Sequence, residues 1–553
     1  MNKIFRTIAV LILLSLLMAA CGGAQPTPAE PVETQAPAVT EAPATEAPKE
    51  EPTKPPEPTQ PPEPTQAPAE AQCLKIALSI SSGETNSLDP FAIPTTEQAV
   101  MINQVYNRLL DLDNNFVVHP ELAESWEPNE DATEWTFHLR EGIKFHNGRD
   151  FTAKDVVYSY KRLIDPDDPS EASSSLSFLN PDGIIAEDDY TVKFITDKPV
   201  AELPVLITIK NAWIVPDGSS KEELRLSGVG TGPFIPVDFQ PVQQPHKFVR
   251  NPNYWEEGLP KSDCLEFYVI QEPTTRIASI QSGEVDIVEY VDFATIPTLE
   301  GDPNIKILKT SGASTSLTFA MWVDTPPFDD LGVRQALKKL VDRQAMVDTV
   351  YLGYAMVADD NPIPPNSPFA WRSEVPARDV EGAKALLAEA GYGPDNPLKI
   401  DLYTADFMPG VVATAQLFKE QVAEGGVDVN VIVGPPADHW DNVWLKQPFL
   451  NSGWDPRPPG EALAICYRSD ALYAESHWFR PDYDDILDEA NTTVDPEARA
   501  ELYKQAGKML SEEGGEIIPI FTLGVAAIRS NCEGYERHIQ SGRFDLRYAS
   551  CTR

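Results

Sequence analysis

The chain has 553 residues and a formal net charge of −41 at neutral pH. Such an acidic surface would repel phosphate backbones, so the composition argues against nucleic acid as a partner. The residues after position 72, about 480 of them, are enough to form at least two separately packed lobes.

The N-terminus has the pattern of a secretory signal. Two basic residues precede an apolar run at 8–18, and Ala19-Ala20 then precedes Cys21. The run is shorter than the roughly 20 residues that cross a bilayer, so we predict a signal peptide over 1–20. A cysteine after small residues resembles the lipobox of bacterial lipoproteins, although Met18 stands where leucine is usual. This resemblance implies that Cys21 is diacylated and anchors the chain in a membrane; the alternative is an ordinary signal with an incidental cysteine.

A low-complexity segment follows the cysteine. It contains mostly Pro, Thr, Glu, Ala and Gln, and it repeats PPEPTQ at 55–60 and 61–66. Such residues cannot build a core, so we predict an acylated, disordered tether over 21–72. At ~3.1 Å per residue, the extended tether would reach roughly 150 Å.

The rest of the chain predicts alternating strands and helices, which indicates α/β lobes. Period-two patterns and β-branched runs predict strands at 74–80, 133–139, 190–196, 265–270, 315–321, 398–404 and 427–433. Apolar residues at helical spacing predict a helix from 151 to 164 with Thr152 as N-cap, and one continuous helix over 333–351. Asp379 and Asp495 are predicted to cap two later helices.

The cysteines after Cys21 have no metal-binding pattern. They form no CxxC pair and have no histidine at metal-ligand spacing, so we expect neither a metal site nor another cofactor. Outside the cytoplasm disulfides are permitted, and an odd number leaves at least one thiol unpaired. We prefer the pair Cys532–Cys551, because both lie in the C-terminal segment. The cysteines concerned are Cys73, Cys264, Cys466, Cys532 and Cys551.

The most specific sequence motifs lie at 120–166, where AESW is followed by W-T-F-x-L-R-x-G-x-x-F-x-x-G and T-A-x-D-V-x-Y-S. Further blocks come in order: GTGPF at 230–234, RNPNYW at 250–255, PPFDDLGVRQAL at 326–337 and GGEIIPIF at 514–521. Together they resemble the family 5 solute-binding proteins of ABC importers, which are receptors for peptides, nickel and oligosaccharides. The resemblance implies capture and delivery of a solute without catalysis.

The family fold implies a two-lobed, periplasmic-binding-protein-like α/β architecture. An extra subdomain is expected to be inserted in the first lobe, and a hinge between the lobes is expected to close around the solute. The chain would cross between lobes near Thr310 and Ile520. The expected boundaries are 73–112, 228–309 and 521–553 for lobe I, 113–227 for the inserted subdomain, and 310–520 for lobe II.

The resemblance also implies the partners. We expect a monomer outside the cytoplasm that binds a small solute, docks on the permease subunits of an ABC importer, and is held at the membrane through Cys21. Short peptides rank first as the solute. The alternatives within the family are oligosaccharides, which ten tryptophans could stack against, and nickel or metal chelates, for which the histidines to test are His246, His439 and His477.

Two functions of other classes are less favoured. A hydrolase is disfavoured because the sequence has no G-x-S-x-G, P-loop, H-E-x-x-H or S-x-x-K motif. A purely structural surface lipoprotein is disfavoured because motifs of the solute-binding family occur along both expected lobes.

The segment NSGWDPRPPGEAL at 451–463 supplies the main candidate site residues, Trp454, Asp455 and Arg457. A peptide needs a carboxylate for its ammonium group, a cation for its carboxylate, and apolar walls. In relatives the loop after this tryptophan lies at the cleft, which implies that Asp455 meets an ammonium group and that Arg457 is a bidentate carboxylate donor. Relatives with W-x-A-D-Y place the acid further along; the other interpretation is a surface Asp–Arg pair beside a proline turn.

Further candidates come from three other places. Trp440 and Trp444 would share one face of a helix, as an aromatic wall or as packing against lobe II. Trp322 stands where the family usually has asparagine and is expected to reshape the floor of the site. The loop after the first strand is expected to offer backbone groups to the cleft; its candidate residues are Thr85, Asn86 and Ser87.

Overall fold

The computed structural model describes residues 72–79, 87–91, 96–167, 176, 178–209, 211–372, 374–540 and 542–552. The predicted signal peptide, Cys21 and nearly all of the tether therefore lie outside the described residues. In the described part of the chain, no helix is long and apolar enough to cross a membrane.

The described strands, in chain order, are β1 Cys73–Leu78, β2 Leu110–Leu112, β3 Val118–Pro120, β4 Ala123–Pro128, β5 Glu134–Leu139, β6 Leu179–Ala186, β7 Thr191–Thr196, β8 Phe234–Val237, β9 His246–Arg250, β10 Cys264–Val269, β11 Ile287–Val288, β12 Ile305–Lys309, β13 Ser316–Met321, β14 Ala355–Val357, β15 Leu398–Ala405, β16 Val427–Gly434, β17 Phe449–Trp454, β18 Glu516–Thr522, β19 Val525–Arg529, β20 Cys532–Glu533 and β21 Ser550–Cys551.

The described α-helices are α1 Thr96–Val105, α2 Ala153–Leu163, α3 Leu203–Leu206, α4 Lys221–Ser227, α5 Pro273–Ser282, α6 Leu331–Leu340, α7 Arg343–Thr349, α8 Val380–Glu389, α9 Val411–Ala423, α10 Pro436–Asp438, α11 Pro459–Ala464, α12 Pro481–Thr492 and α13 Pro496–Glu513. A 3₁₀-helix covers Phe293–Thr298 and a π-helical turn covers His439–Val443.

The described strands form two main sheets, a smaller four-stranded sheet and two two-stranded sheets, β2-β3 and β20-β21. Sheet A has the order β12-β19-β11-β1-β10-β9-β8, with β1 parallel to both of its neighbours. Sheet C, in the order β4-β5-β7-β6, is antiparallel and shares a hydrophobic core with sheet A. Sheet B has the order β14-β18-β13-β17-β15-β16 and its own core. We call sheets A and C with their helices lobe I, and sheet B with its helices lobe II. The predicted two-lobed α/β fold is confirmed.

The chain passes between sheets A and B twice. The first crossing runs from β12 to β13 and the second from β18 to β19. They lie side by side, because Ser314 N–H donates to the Thr522 carbonyl at 2.8 Å and Thr310 N–H donates to the Gly524 carbonyl at 3.0 Å. Two adjacent extended segments of this kind can bend together, as a hinge does.

Several predicted helix starts are confirmed, but one helix is wrong. Thr152 is the N-cap of α2, and the Asp379 and Asp495 side chains accept backbone hydrogen bonds at the starts of α8 and α13. The continuous helix predicted over 333–351 is two helices, α6 and α7. Val341 has extended backbone between them, and Asp342 caps α7 by accepting from Ala345 N–H.

Two disulfides join neighbouring strands. Cys532–Cys551 links β20 to β21, as predicted, and Cys73–Cys264 links the first residues of β1 and β10, which the sequence did not reveal. Cys466 is a buried free thiol.

Removing each disulfide by paired Cys→Ser substitutions should destabilise the protein to different extents. The cysteines are 191 positions apart in Cys73–Cys264 and 19 apart in Cys532–Cys551. Loop-closure entropy then predicts losses of ~5 and ~3 kcal/mol, respectively, as upper values. We expect C73S/C264S to lower the melting temperature in calorimetry more than C532S/C551S does. An equal or reversed order would contradict the entropic account.

Candidate functional site

A cavity lies beside the two crossings, between lobe I and lobe II. Lobe I contributes the turn at 114–116 and Ile539, and the first crossing contributes 312–316. Lobe II contributes the loop at 362–368 and the segment from Trp454 through α11. The cavity volume is about 60 Å³, well below the roughly 300 Å³ of a small-ligand site. A solute the size of a dipeptide therefore requires these walls to move apart.

Trp454, Asp455 and Arg457, which the family resemblance implies at the cleft, all line this cavity. β17 ends at Trp454 because prolines follow at 456, 458 and 459, and proline cannot donate a strand hydrogen bond. Pro459 then starts α11. The turn is placed at the cavity because Trp454 pairs with Ser316, the first residue of β13.

Arg457 is held by three neighbours at the cavity wall. Its Nε lies 3.1 Å from Glu461 Oε1, one helical turn on, and its Nη1 donates to the Asp455 carbonyl at 3.0 Å. Its guanidinium lies 5.3 Å from the centre of the Trp454 ring, within cation–π distance. The Asp455 carboxylate instead accepts from Thr315 Oγ1 at 3.2 Å. The alternative of a surface Asp455–Arg457 ion pair is therefore not the arrangement found.

An aromatic ladder runs outward from Trp454 along lobe II. Its rings are those of Trp454, Tyr473, Trp444, Trp440 and Phe407. Successive ring centres lie 5.9, 5.4, 5.6 and 5.0 Å apart. Trp440, the fourth of the five rings, is 41% exposed. The ladder follows the carboxyl ends of β15, β16 and β17, which meet at one edge because these strands are parallel.

The predicted pairing of Trp440 with Trp444 holds for the rings but not for the backbone. The two side chains meet edge to face. They do so across a π-helical turn at 439–443, and Trp444 itself has left the helix with ψ near 134°. The i, i+4 spacing predicts the ring contact, whereas the backbone conformation depends on the residues that pack around the turn.

Glu475 fixes two rings of the aromatic ladder, and sequence reasoning missed it. Its fully buried carboxylate accepts from Trp444 Nε1 at 2.7 Å, Trp454 Nε1 at 2.9 Å and Ser452 Oγ at 2.8 Å. Burial raises the pKa of Glu475, and the three hydrogen bonds oppose that rise. No motif marks it, because it reaches the tryptophans across 21 and 31 positions.

A buried acid, Glu516, lies behind two residues of the cavity lining. Tyr467 and Cys466 line the cavity, and the Tyr467 hydroxyl donates to the buried carboxyl group of Glu516. Burial raises the pKa values of Glu516 and of the Cys466 thiol well above their usual ranges. Cys466 is therefore protonated and unreactive at neutral pH.

The structure does not bring every candidate to this cavity. Trp322 follows the far end of β13, where its ring stacks on His477 at 4.4 Å, so it does not belong to the floor that the described residues form. Ser87 is buried, and its Oγ accepts from Asp89 N–H in a turn that Arg162 braces. Thr85 and Asn86 lie outside the described residues.

The three candidate histidines line neither this cavity nor a common site. His246 is buried beside Phe239, His439 Nε2 lies 2.8 Å from the Asn451 carbonyl oxygen, and His477 pairs with Asp324. Within the described ranges, the group of potential metal ligands that lies close enough together is Asp286, Cys532 and Cys551, but the two sulfurs are bonded to each other.

A second cavity of about 680 Å³ lies within lobe I, between α1, β2 and the C-terminal segment. Charged residues line it, and they pair with neighbours: Arg543 with Asp111 at 2.6 Å and Arg547 with Glu256 at 2.7 Å. Burial, reinforced by Asp111, raises the pKa of Glu121 to about 7. No sequence pattern indicates this cavity, because its residues come from distant parts of the chain.

The chain is similar to known proteins over most of its length. The family described as bacterial extracellular solute-binding proteins, family 5 middle, matches residues 117–471. The chain belongs to this family. Family 5 receptors are extracytoplasmic transport proteins that work with ABC permeases, so the predicted receptor class is confirmed.

Individual relatives of this family 5 receptor differ in what they bind. Heme-binding protein A of Haemophilus influenzae is 31% identical, over 78% of this chain and 84% of that protein. The dipeptide-binding protein of Escherichia coli is 27% identical, over 83% of this chain and 92% of that protein. A nickel ABC transporter structure from Bacillus halodurans has a TM-score of 0.73 and 28% identity, covering 85% of this chain and 98% of that one.

Replacing Glu475 with glutamine tests its hold on the aromatic ladder. Glutamine would turn an amide donor toward an indole N–H, so we expect a loss of about 1–3 kcal/mol in unfolding free energy. Tryptophan emission should shift as Trp444 and Trp454 lose their shared acceptor. Calorimetry and fluorescence check this, with Ser452→Ala as the graded control that removes a single donor and should cost less. Wild-type stability and emission in E475Q would show that the carboxylate does not hold the rings.

Proposed function

We propose that this family 5 receptor binds short peptides between its lobes and delivers them to an ABC permease. The observation that carries the proposal is the convergence of Asp455, Arg457 and Trp454 on one interlobe cavity. A peptide presents an ammonium group, a carboxylate and variable side chains. One wall of this cavity offers an acid, a guanidinium and an indole ring.

Each group has a specific part in this proposal. Arg457 donates to the peptide carboxylate with its guanidinium fork, which Trp454 and Glu461 keep in place. Asp455 accepts from the peptide ammonium group. The aromatic ladder, including Trp440 and Trp444, offers large rigid surfaces to varied side chains at low entropic cost. Thr85, Asn86 and Ser87 remain candidates for backbone contacts from the loop after β1, and Trp322 is the weakest candidate because of its position.

The dipeptide-binding relative supports this assignment, and the heme and nickel relatives define its rivals. A thermal-shift screen separates them. Its library holds di- to pentapeptides, nickel with and without histidine, hemin and oligosaccharides. A solute at 100 times its Kd adds about 2.7 kcal/mol, several degrees in melting temperature. A shift confined to peptides is expected; a shift confined to another class would replace the peptide assignment.

Arg457→Ala should weaken binding of a peptide with a free C-terminus by about 2–4 kcal/mol, because a buried carboxylate would lose its partner. A C-terminally amidated peptide lacks that carboxylate and should bind wild type and variant about equally. Titration calorimetry of both peptides with both proteins isolates the contact, and Arg457→Lys keeps the charge without the fork. If both peptides lose the same affinity in R457A, Arg457 does not meet the carboxylate.

The remaining parts of the proposal concern the oligomeric state, the lobe boundaries and the attachment to the membrane. We propose a monomer with the lobe boundaries 73–112, 228–309 and 521–553 for lobe I, 113–227 for the inserted subdomain and 310–520 for lobe II. The segment 21–72 would tether this body to the membrane through acylated Cys21, after removal of the signal peptide at 1–20. The lobe boundaries rest on the family resemblance, and the tether, signal peptide and lipid anchor rest on the pattern of the N-terminal sequence.

Cys21→Ser should release the protein from the membrane fraction, since a serine cannot take the thioether-linked lipid. Immunoblots of membrane and soluble fractions check this, and Cys466→Ser is the matched control, because that buried thiol carries no anchor. Retention of C21S in the membrane fraction would exclude the lipid anchor at this position.

A further inference from the structure

Lobe I and lobe II also meet away from the crossings. The segment 200–202 follows β7 and leads into α3, whose Leu203 belongs to the core shared by sheets A and C. Opposite it, Tyr503 of α13 belongs to a separate core formed with α11 and α12. Ala201 N–H donates to the Asn491 carbonyl at 2.9 Å. A backbone hydrogen bond therefore joins elements of two different cores.

The Glu202 side chain enters lobe II at this point. It is 6% exposed, and its Oε1 lies 3.7 Å from Arg499 Nε. The carboxylate also lies against Gly460 and the Tyr503 hydroxyl. A Cβ atom on Gly460 would stand 2.2 Å from Glu202 Oε2 and 2.7 Å from that hydroxyl. The carboxylate thus occupies the space that any side chain at position 460 would need.

This contact adjoins the candidate solute site. Gly460 follows Pro459, which lines the interlobe cavity, and precedes Glu461, the ion-pair partner of Arg457. The first turn of α11 therefore contacts Glu202 of lobe I through Gly460 and holds Arg457 through Glu461. If the lobes separate, the carboxylate, Arg499 and the Ala201 N–H all lose these partners together.

We propose that Glu202 is a latch between the lobes, holding α11 and Arg457 in place in the closed arrangement of the lobes, with or without a solute. The inference rests on the proposed receptor function, since a latch matters only where the lobes open and close. A buried ion pair gains little net free energy because desolvation opposes it. That balance suits a contact that must form and break during each cycle. Glu202 is a positioning residue, acting on Arg457 through α11.

Gly460→Ala tests the latch by steric exclusion, and Glu202→Ala tests it by removal. Small-angle scattering in buffer without added solute should give both variants a larger radius of gyration than wild type. Hydrogen exchange at Ala201 N–H should accelerate roughly tenfold. The Tyr503 hydroxyl would also stand 2.7 Å from the new methyl group, so the double variant is made on a Tyr503→Phe background. There both obstructing groups are gone, and G460A/E202A/Y503F should behave like E202A/Y503F rather than add the two effects. Glu501→Gln, on the exposed face of α13 where Glu501 pairs with Lys504, should change nothing.

Trialanine provides the functional readout. Its dissociation rate in stopped flow should rise roughly tenfold in G460A and E202A, equivalent to ~1.4 kcal/mol. A lower melting temperature with unchanged radius, exchange and dissociation would mean static packing and would overturn the latch. If trialanine binds no form of the protein, the peptide assignment fails for that ligand, while the scattering and exchange still decide on the latch.

Discussion

The paired crossings between sheets A and B are the constraint on which the rest of the structure depends. The two segments are hydrogen-bonded to each other at Ser314–Thr522 and Thr310–Gly524. Because β13 starts at one crossing, its first residue, Ser316, brings the paired Trp454 to the same place. The interlobe cavity, the Arg457 turn and the start of the aromatic ladder are consequently built next to the hinge, where small rotations of the lobes change the cavity most directly.

Around that hinge, lobe II combines rigid and adjustable parts. The aromatic ladder is rigid, since Glu475 ties Trp444 and Trp454 to a single buried carboxylate. Under the proposed latch, the turn that carries Arg457 is adjustable, because it would be released when Glu202 loses its contact with Gly460, next to the Arg457–Glu461 ion pair. A receptor for varied peptides benefits from this division. In the proposed function, the constant ends of the solute would meet Arg457 and Asp455, and the variable side chains would meet the fixed aromatic wall.

Two disulfides cross-link lobe I at the end away from the hinge. Cys73–Cys264 closes the start of β1 against β10, and Cys532–Cys551 closes the C-terminal hairpin. Gln72, Cys73 and Cys551 line one small pocket, so the two links are neighbours at the point where the described chain begins. The described chain therefore enters lobe I at a cross-linked strand in the middle of sheet A.

The sequence alone determined the family and the two-lobed layout, through the resemblance of its motifs to known receptors. It also determined the α/β class, most strand positions and the helix starts at Thr152, Asp379 and Asp495, because these depend on local periodicity and capping. It also grouped Trp454, Asp455 and Arg457 as candidates, since they share one short turn. It could not determine that Val341 breaks a helix or that Trp322 lies away from the cavity. Nor could it determine that Glu475 accepts hydrogen bonds from two tryptophans or that Glu202 contacts Gly460. Those features arise from contacts across tens to hundreds of positions. Only the tertiary structure decides which distant donors meet a buried carboxylate.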